Sequence, residues 1–213
     1  MNISIVAATE LEISGLRDLL FASPHTIEFS VHGVGLLQAT YHIQKVALKK
    51  PELLIQCGIA GSYSNELLIG ETVVVYAECL GDAGAEDHDD LFDLFDLHLQ
   101  NAHEFPFTHG LLMNENAKTI THLKPVKSLT VNLAAGNEQS ILKRRKKFNP
   151  DIETMEGACL HYVCLQENIP FIQFRGISNR VEPRDKSQWK IAEALRKCHT
   201  EINHFIHQIP SIN

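Results

Sequence analysis

Glu156-Gly157-Ala158-Cys159-Leu160-His161-Tyr162-Val163-Cys164-Leu165-Gln166, followed closely by Pro170-Phe171-Ile172-Gln173-Phe174, is the stretch on which the architecture turns. Its first part is apolar on nearly every side, which predicts a buried helix. Its second part is a short apolar run opened by proline, which predicts a buried strand. Moving outward, the same alternation recurs. Ile3 to Ala8 reads as a first strand and Glu10 to Leu20 as a helix capped by Thr9. Ile27 to His32 reads as a strand, Leu36 to Lys49 as a helix stopped by Pro51, and Leu53 to Cys57 as a central strand. Glu71 to Ala77 and Leu129 to Leu133 read as strands, and a long helix runs from about Ser187 to His207. Strands that alternate with helices predict one α/β domain over residues 1–213. It is three-layered (αβα), with a mixed, largely parallel central sheet.

Composition narrows the function. The 213 residues carry a formal net charge of −7, which disfavours a broad nucleic-acid footprint. The run Lys143-Arg144-Arg145-Lys146-Lys147 reads either as a nucleic-acid patch or as a solvated helix face, and the acidic whole favours the second. No apolar run approaches the ~20 residues of a membrane span. Met1-Asn2-Ile3-Ser4 has no basic region ahead of its apolar stretch, so a secretory signal is not expected and a cytoplasmic protein is. The five cysteines form no C-x-x-C pair, so reduced core thiols are expected. Of the twelve histidines only His204 and His207, beside His199, share a helix face. With no HExxH pattern, no metal and no cofactor are expected. The stretch Glu86-Asp87-His88-Asp89-Asp90, with Asp93 and Asp96, could hold a cation. The helical spacing of Leu91, Phe92, Leu94 and Phe95 favours a solvated loop leading into an amphipathic helix.

Four segments put polar groups where α/β sheets take ligands, at the carboxyl ends of strands. They are Ala8-Thr9-Glu10-Leu11-Glu12, Gly58-Ile59-Ala60-Gly61-Ser62, Thr154-Met155-Glu156-Gly157-Ala158 and Arg175-Gly176-Ile177-Ser178-Asn179. Each is weak alone. The glycines read equally as a tight strand-to-helix turn, and Glu12 as a solvated helix carboxylate. Glu156 opens an apolar helix, so its buried charge needs donors, which ligand hydroxyls would supply. Arg175 ends a central strand and needs a polar or anionic partner.

Together, in order and over nearly the whole chain, these segments resemble the purine nucleoside phosphorylase and nucleosidase superfamily. The nucleosidase branch, which includes methylthioadenosine/S-adenosylhomocysteine nucleosidase, is the nearest in pattern. The resemblance implies the nucleoside phosphorylase-like fold, a small-molecule nucleoside substrate and a homo-oligomer. It implies that Glu12 activates water, that Met155 and Glu156 hold the ribose hydroxyls, and that Arg175 stands near the water. It brings Ala8, Ile59, Ala60, Gly61 and Ser178 to the substrate and Asn179 to the purine. Ile59 stands where that superfamily carries a serine. Glu10 and Glu12 replace the glycine and arginine that hold phosphate in the phosphorylases, which favours hydrolysis over phosphorolysis.

The adenine-specific branch carries Asp where this chain has Asn179. An amide can donate to a 6-oxo group and accept from a protonated N7, so Asn179 points to a 6-oxopurine. Asn is also a common turn residue, and a loop-shaping role is the alternative. Ser178 to Ala192, Gly81 to Glu86 and Thr130-Val131-Asn132 resemble the futalosine hydrolase family of the menaquinone pathway. That family's substrate carries hypoxanthine on a ribose extended at C5′ by a carboxyphenyl ketone. Arg180, Arg184 and Lys186 are candidates for its carboxylate, or plain surface charges. An adenine nucleosidase acting on methylthioadenosine, S-adenosylhomocysteine or aminofutalosine is the first rival. A non-catalytic nucleoside-binding protein is the second.

Overall fold

Leu53-Leu54-Ile55-Gln56 is buried at every position, as a strand covered on both faces must be. The computed structural model, which describes residues 1–183 and 185–210, builds outward from this pattern. The first elements are β1 (Asn2–Ala7), α1 (Glu10–Leu19), β2 (Thr26–Val31), α2 (Leu36–Ala47) and β3 (Leu53–Gln56). Then come β4 (Ile59–Ser62), β5 (Thr72–Leu80), β6 (Gly84–Asp87), β7 (Asp90–Asp93), β8 (Phe107–Thr108), β9 (Leu111–Met113) and β10 (Lys124–Thr130). The chain finishes with α3 (Glu138–Phe148), β11 (Ile152–Thr154), α4 (Gly157–Glu167), β12 (Phe171–Arg180) and α5 (Ile191–Gln208).

The main sheet has the order β2-β1-β3-β12-β4-β11-β10-β5-β9-β8. Its first four strands are parallel. α1 and α5 cover one face, packing Ile13, Leu16 and Ile202 against Ile5, Ile55 and Phe174. α2 and α4 cover the other, packing Ile43, Leu160 and Val163 against Val6, Leu54 and Phe171. The expected three-layer α/β architecture with a mixed sheet is therefore present.

β12 does more than its apolar core suggested. Past Phe174 it continues to Arg180, pairing first with β3 and then with β4. It also pairs antiparallel with β5 through Phe174↔Val74 and Arg175↔Val73. The far half of the sheet thus closes on itself through β12, β4, β11, β10 and β5. Gly58 to Ser62 is accordingly not a strand-to-helix turn: Ile59–Ser62 is the strand β4.

The acidic stretch forms a hairpin, β6–β7, instead of leading into an amphipathic helix. Its partner is the basic run on α3. Lys143 pairs with Glu86 at 2.6 Å, Lys146 with Asp90 at 2.9 Å, and Lys147 with Asp93 at 3.2 Å and with Asp96. Each run therefore answers the charge of the other. Among the described residues, no helix is long and apolar enough to cross a membrane, and no group of three or more His, Cys, Asp or Glu could hold a metal ion.

Candidate active site

The segments that follow β1 and β11, together with β4 and the far end of β12, border one cavity of about 320 Å³. That lies at the lower end of the ~300–1,000 Å³ usual for small-molecule sites. Ala8, Glu12, Ile59, Ala60, Gly61, Met155, Glu156, Ser178 and Asn179 all line it. Four segments far apart in sequence are thereby brought together.

Glu12 is the third residue of α1, and its carboxylate turns back to the helix start. Oε2 accepts the Thr9 N–H at 3.0 Å and the Thr9 hydroxyl at 3.1 Å, and Oε1 accepts the Ile59 N–H at 3.3 Å. This is the return half of a capping box, joined to a strand across the cavity. The Glu12 carbonyl is held from behind by His199 Nε2 at 2.8 Å, which ties α1 to α5. Ile59 thus meets the candidate base through its backbone amide. Glu10, by contrast, turns out to solvent and pairs with Arg17.

Arg175 is 1% exposed and lies beneath the cavity, not on its wall. A Cβ on Gly58 would fall 2.5 Å from Arg175 Nη1 and 2.8 Å from Glu12 Oε1, so both side chains close on the bare Cα of that glycine. Arg175 Nη2 donates to Gln56 Oε1 at 2.7 Å. Gln56 Nε2 donates in turn to His32 Nε2 at 3.0 Å, and His32 Nδ1 donates to the Gly33 carbonyl at 2.8 Å. This relay requires a neutral His32. Burial, opposed by the Gly33 hydrogen bond and assisted by the nearby Arg175 charge, lowers its pKa to about 4. Among the described residues, Arg175 Nε has no partner.

Glu156 sits at the head of α4, 5% exposed, and its Oε1 accepts the Gly35 N–H at 2.9 Å. Burial raises its pKa, and the like charge of Glu12 adds to this. The Arg175 guanidinium and the Gly35 amide oppose it. Met155 beside it is half-buried.

Asn179 follows a bulge. Ile177 pairs with Ala60 and Asn179 with Gly61, leaving Ser178 as the extra residue. A bulge re-aims the side chains beside it. Here it leaves Asn179 half-buried on the cavity wall. The Ser178 hydroxyl donates to Asn179 Oδ1 at 2.7 Å, and Asn179 Nδ2 donates to the Arg180 carbonyl at 2.8 Å. One lone pair and one N–H of the amide remain for a ligand.

Of the three cations considered for a distal carboxylate, Arg180 lines the cavity and also donates to Ser62 Oγ at 3.4 Å. Lys186 is exposed and off the wall. Arg184 lies outside the described residues. The residues that reading the sequence missed are the supports: His32, Gln56 and Glu153. Only Gln56, a lone polar residue inside the run Leu53 to Cys57, carried a visible signal.

Comparison with known proteins follows the same lines. Residues 25–208 match the model of the family described as the phosphorylase superfamily. The futalosine hydrolase of Streptomyces coelicolor is 29% identical over 145 residues, which cover 68% of this chain and 60% of that protein. The futalosine hydrolase of Thermus thermophilus is 29% identical over 167 residues, 76% of this chain and 73% of that protein. The chain thus spans about three fifths to three quarters of these curated relatives. A crystal structure of S-adenosylhomocysteine nucleosidase from Streptococcus pyogenes, in complex with 5-methylthiotubericidin, superposes with a TM-score of 0.82. Its sequence identity is 18%, with 99% of this chain and 98% of that one covered.

Proposed function

Because the chain belongs to the phosphorylase superfamily, we propose that it hydrolyses the N-glycosidic bond of futalosine, a 6-oxopurine nucleoside, releasing hypoxanthine and dehypoxanthine futalosine. The convergence of Glu12, Glu156 and Asn179 on one cavity carries the proposal. The names of the two curated relatives support the choice of substrate.

The bond breaks dissociatively. The electron pair of C1′–N9 leaves with the purine, and positive charge builds on the sugar. Glu156 and Met155 hold the ribose, and the carboxylate of Glu156 favours that charge. Glu12 takes a proton from water as its oxygen bonds to C1′. The three donors on Glu12 fix its direction, and Arg175 behind Gly58 holds positive charge against it. As the base departs, N7 takes up a proton from solvent. The free lone pair of Asn179 Oδ1 accepts that N7–H and the free Nδ2–H donates to O6, relieving the charge on the base, and the proton held by Glu12 returns to solvent. The carboxylate of Glu12 on the cavity wall repels phosphate and suits water as the nucleophile.

The protein is incubated with futalosine, inosine, adenosine and methylthioadenosine, with and without phosphate, and the released base is identified. Phosphate-independent release of hypoxanthine from futalosine is expected. Release of adenine alone would establish the adenine nucleosidase instead, a sugar phosphate the phosphorylase, and binding without turnover a nucleoside-binding protein. The proposal includes a cytoplasmic homo-oligomer. Val34 and Leu133, 50% and 74% exposed, border or adjoin the cavity mouth and suit a subunit contact there. Light scattering reads the assembly.

A further inference from the structure

Residues 133–136 run past the cavity with side chains that are small or exposed. Leu133 is 74% exposed, Ala134 and Ala135 are small, and a Cβ on Gly136 would meet nothing within 4 Å. Ordering such backbone costs conformational entropy. The polar groups around it supply the anchors. Asp82 Oδ2 accepts the Asn132 N–H at 2.6 Å and the Leu133 N–H at 3.2 Å. Arg144 Nη2 donates to the Leu133 carbonyl at 2.7 Å. Glu153 Oε1 accepts the Ala135 N–H at 3.2 Å. Glu153 Oε2 takes Arg144 Nη1 at 3.0 Å and the Tyr63 hydroxyl at 2.7 Å. Arg144 and Glu153 are 8% and 7% exposed.

Two features place this assembly beside Asn179 on the cavity wall. Strand register aligns Glu153 of β11 with Gly61 of β4, and Gly61 with Asn179 of β12, one row across the sheet. Glu153, Ala134 and Ala135 line the same cavity as Asn179. A buried ion pair returns little net stability, because desolvation offsets its attraction. Besides the Tyr63 hydroxyl, the Arg144–Glu153 pair binds the two backbone groups that flank Ala134.

We propose that Arg144 and Glu153 are positioning residues for the purine. They hold the backbone at 133–135 against the base, opposite the amide of Asn179, and so set affinity for the base separately from affinity for the sugar. The proposal rests on the reading that a purine binds at Asn179.

The test uses Arg144→Lys and Glu153→Gln. Lysine keeps the charge beside Glu153 but lacks the fork that spans Glu153 and the Leu133 carbonyl. Glutamine keeps an acceptor and removes the charge. Tyr63→Phe is the control, because it removes a bond to Glu153 without touching the 133–135 backbone. Calorimetry measures binding of hypoxanthine and of a base-free imino-ribitol that mimics the charged sugar. Expected is a tenfold or greater loss for hypoxanthine in either substituted protein, with the sugar mimic within twofold of wild type. KM for the nucleoside should rise more than kcat falls, and Tyr63→Phe should stay within about threefold on both ligands. Parallel losses for both ligands, or hypoxanthine affinity unchanged, would overturn the proposal. If one variant fails to fold, the other decides. Wild-type protein that binds the sugar mimic but no purine would overturn the functional reading as well, and that is seen before any variant is made.

Discussion

Glu12 meets three donors before any ligand arrives: the amide and hydroxyl of Thr9 and the amide of Ile59. A carboxylate so held has one direction left for a water molecule. Glu12→Gln keeps the shape and most of the contacts but cannot take the proton. It should lower kcat by about 10²–10⁴-fold while nucleoside binding stays within a few-fold, read by single-turnover assay and calorimetry. Normal turnover would remove Glu12 from the base role. Asn179 offers a parallel case at the other end of the cavity. Asn179→Asp exchanges an amide donor for an acceptor that suits a 6-amino group. The ratio of kcat/KM for inosine to that for adenosine should fall about tenfold or more, ~1.4 kcal/mol in relative transition-state binding. An unchanged ratio would reduce Asn179 to a shaper of the strand. Both residues were readable in the chain because each belongs to a compact motif. His32 was not, because its role arises only through Gln56, which joins it to Arg175 on another strand, and the approach of Arg175 to Gly58 appears only in the fold.

At the scale of elements, α4 is held at its head by a carboxylate the mechanism does not use. Glu78, fully buried on β5, accepts the Thr130 hydroxyl at 2.8 Å and Gln173 Nε2 at 2.9 Å. Thr130 Oγ1 in turn accepts the Ala158 N–H at 2.9 Å, one of the unpaired donors of the helix start. A Cβ on Gly157 would lie 1.7 Å from Glu78 Oε1 and 2.5 Å from Gln173 Nε2. Gly157→Ala must therefore displace the buried Glu78 and Gln173 side chains or the head of α4, which carries Glu156. A stability loss of about 3 kcal/mol by urea unfolding is expected, with a fall in nucleoside affinity. Wild-type affinity in a folded variant would show that Glu156 does not depend on this packing. Elements with a strong hydrophobic pattern, such as the amphipathic α2 and the apolar run of β3, were legible in the chain. The hairpin β6–β7 was not. Leu91, Phe92, Leu94 and Phe95 have helical spacing, yet the acids among them face Lys143, Lys146 and Lys147 on α3, some fifty residues on. β4 was missed for another reason: four residues that include Gly61 show no alternation, and only pairing with β11 and β12 makes them a strand.

On the scale of the whole molecule, β12 is the spine. It joins both halves of the sheet, packs under α5, and carries Arg175, Ser178 and Asn179. Its register against β3, β4 and β5 is a long-range property that local sequence does not encode. The same core sets a pH limit. His161 is fully buried on α4, with Nδ1 donating to the Leu112 carbonyl at 2.9 Å and its ring edge-on to Phe171. Burial lowers its pKa to about 4, as it does for His32. Both histidines stay neutral in the fold at pH values where the unfolded chain, titrating near 6.5, takes up protons. The unfolded state binds more protons, so stability rises with pH between about 4 and 6.5 and is lost on acidification through that window. Each histidine contributes at most ~3 kcal/mol across it. Burial acts in the opposite sense on Glu78 and Glu156, whose raised pKa values let the fold keep protons that the unfolded chain releases. The bare stability curve therefore mixes both effects, and a difference isolates the histidine. His161→Phe retains a ring against Phe171 but cannot titrate. Urea unfolding at pH 7.5, 6.5, 5.5 and 4.5 should give wild type a steeper loss than the variant, the excess approaching ~1.4 kcal/mol per pH unit below 6.5. Parallel curves would mean that His161 protonates within the fold and that its burial does not govern the acid limit.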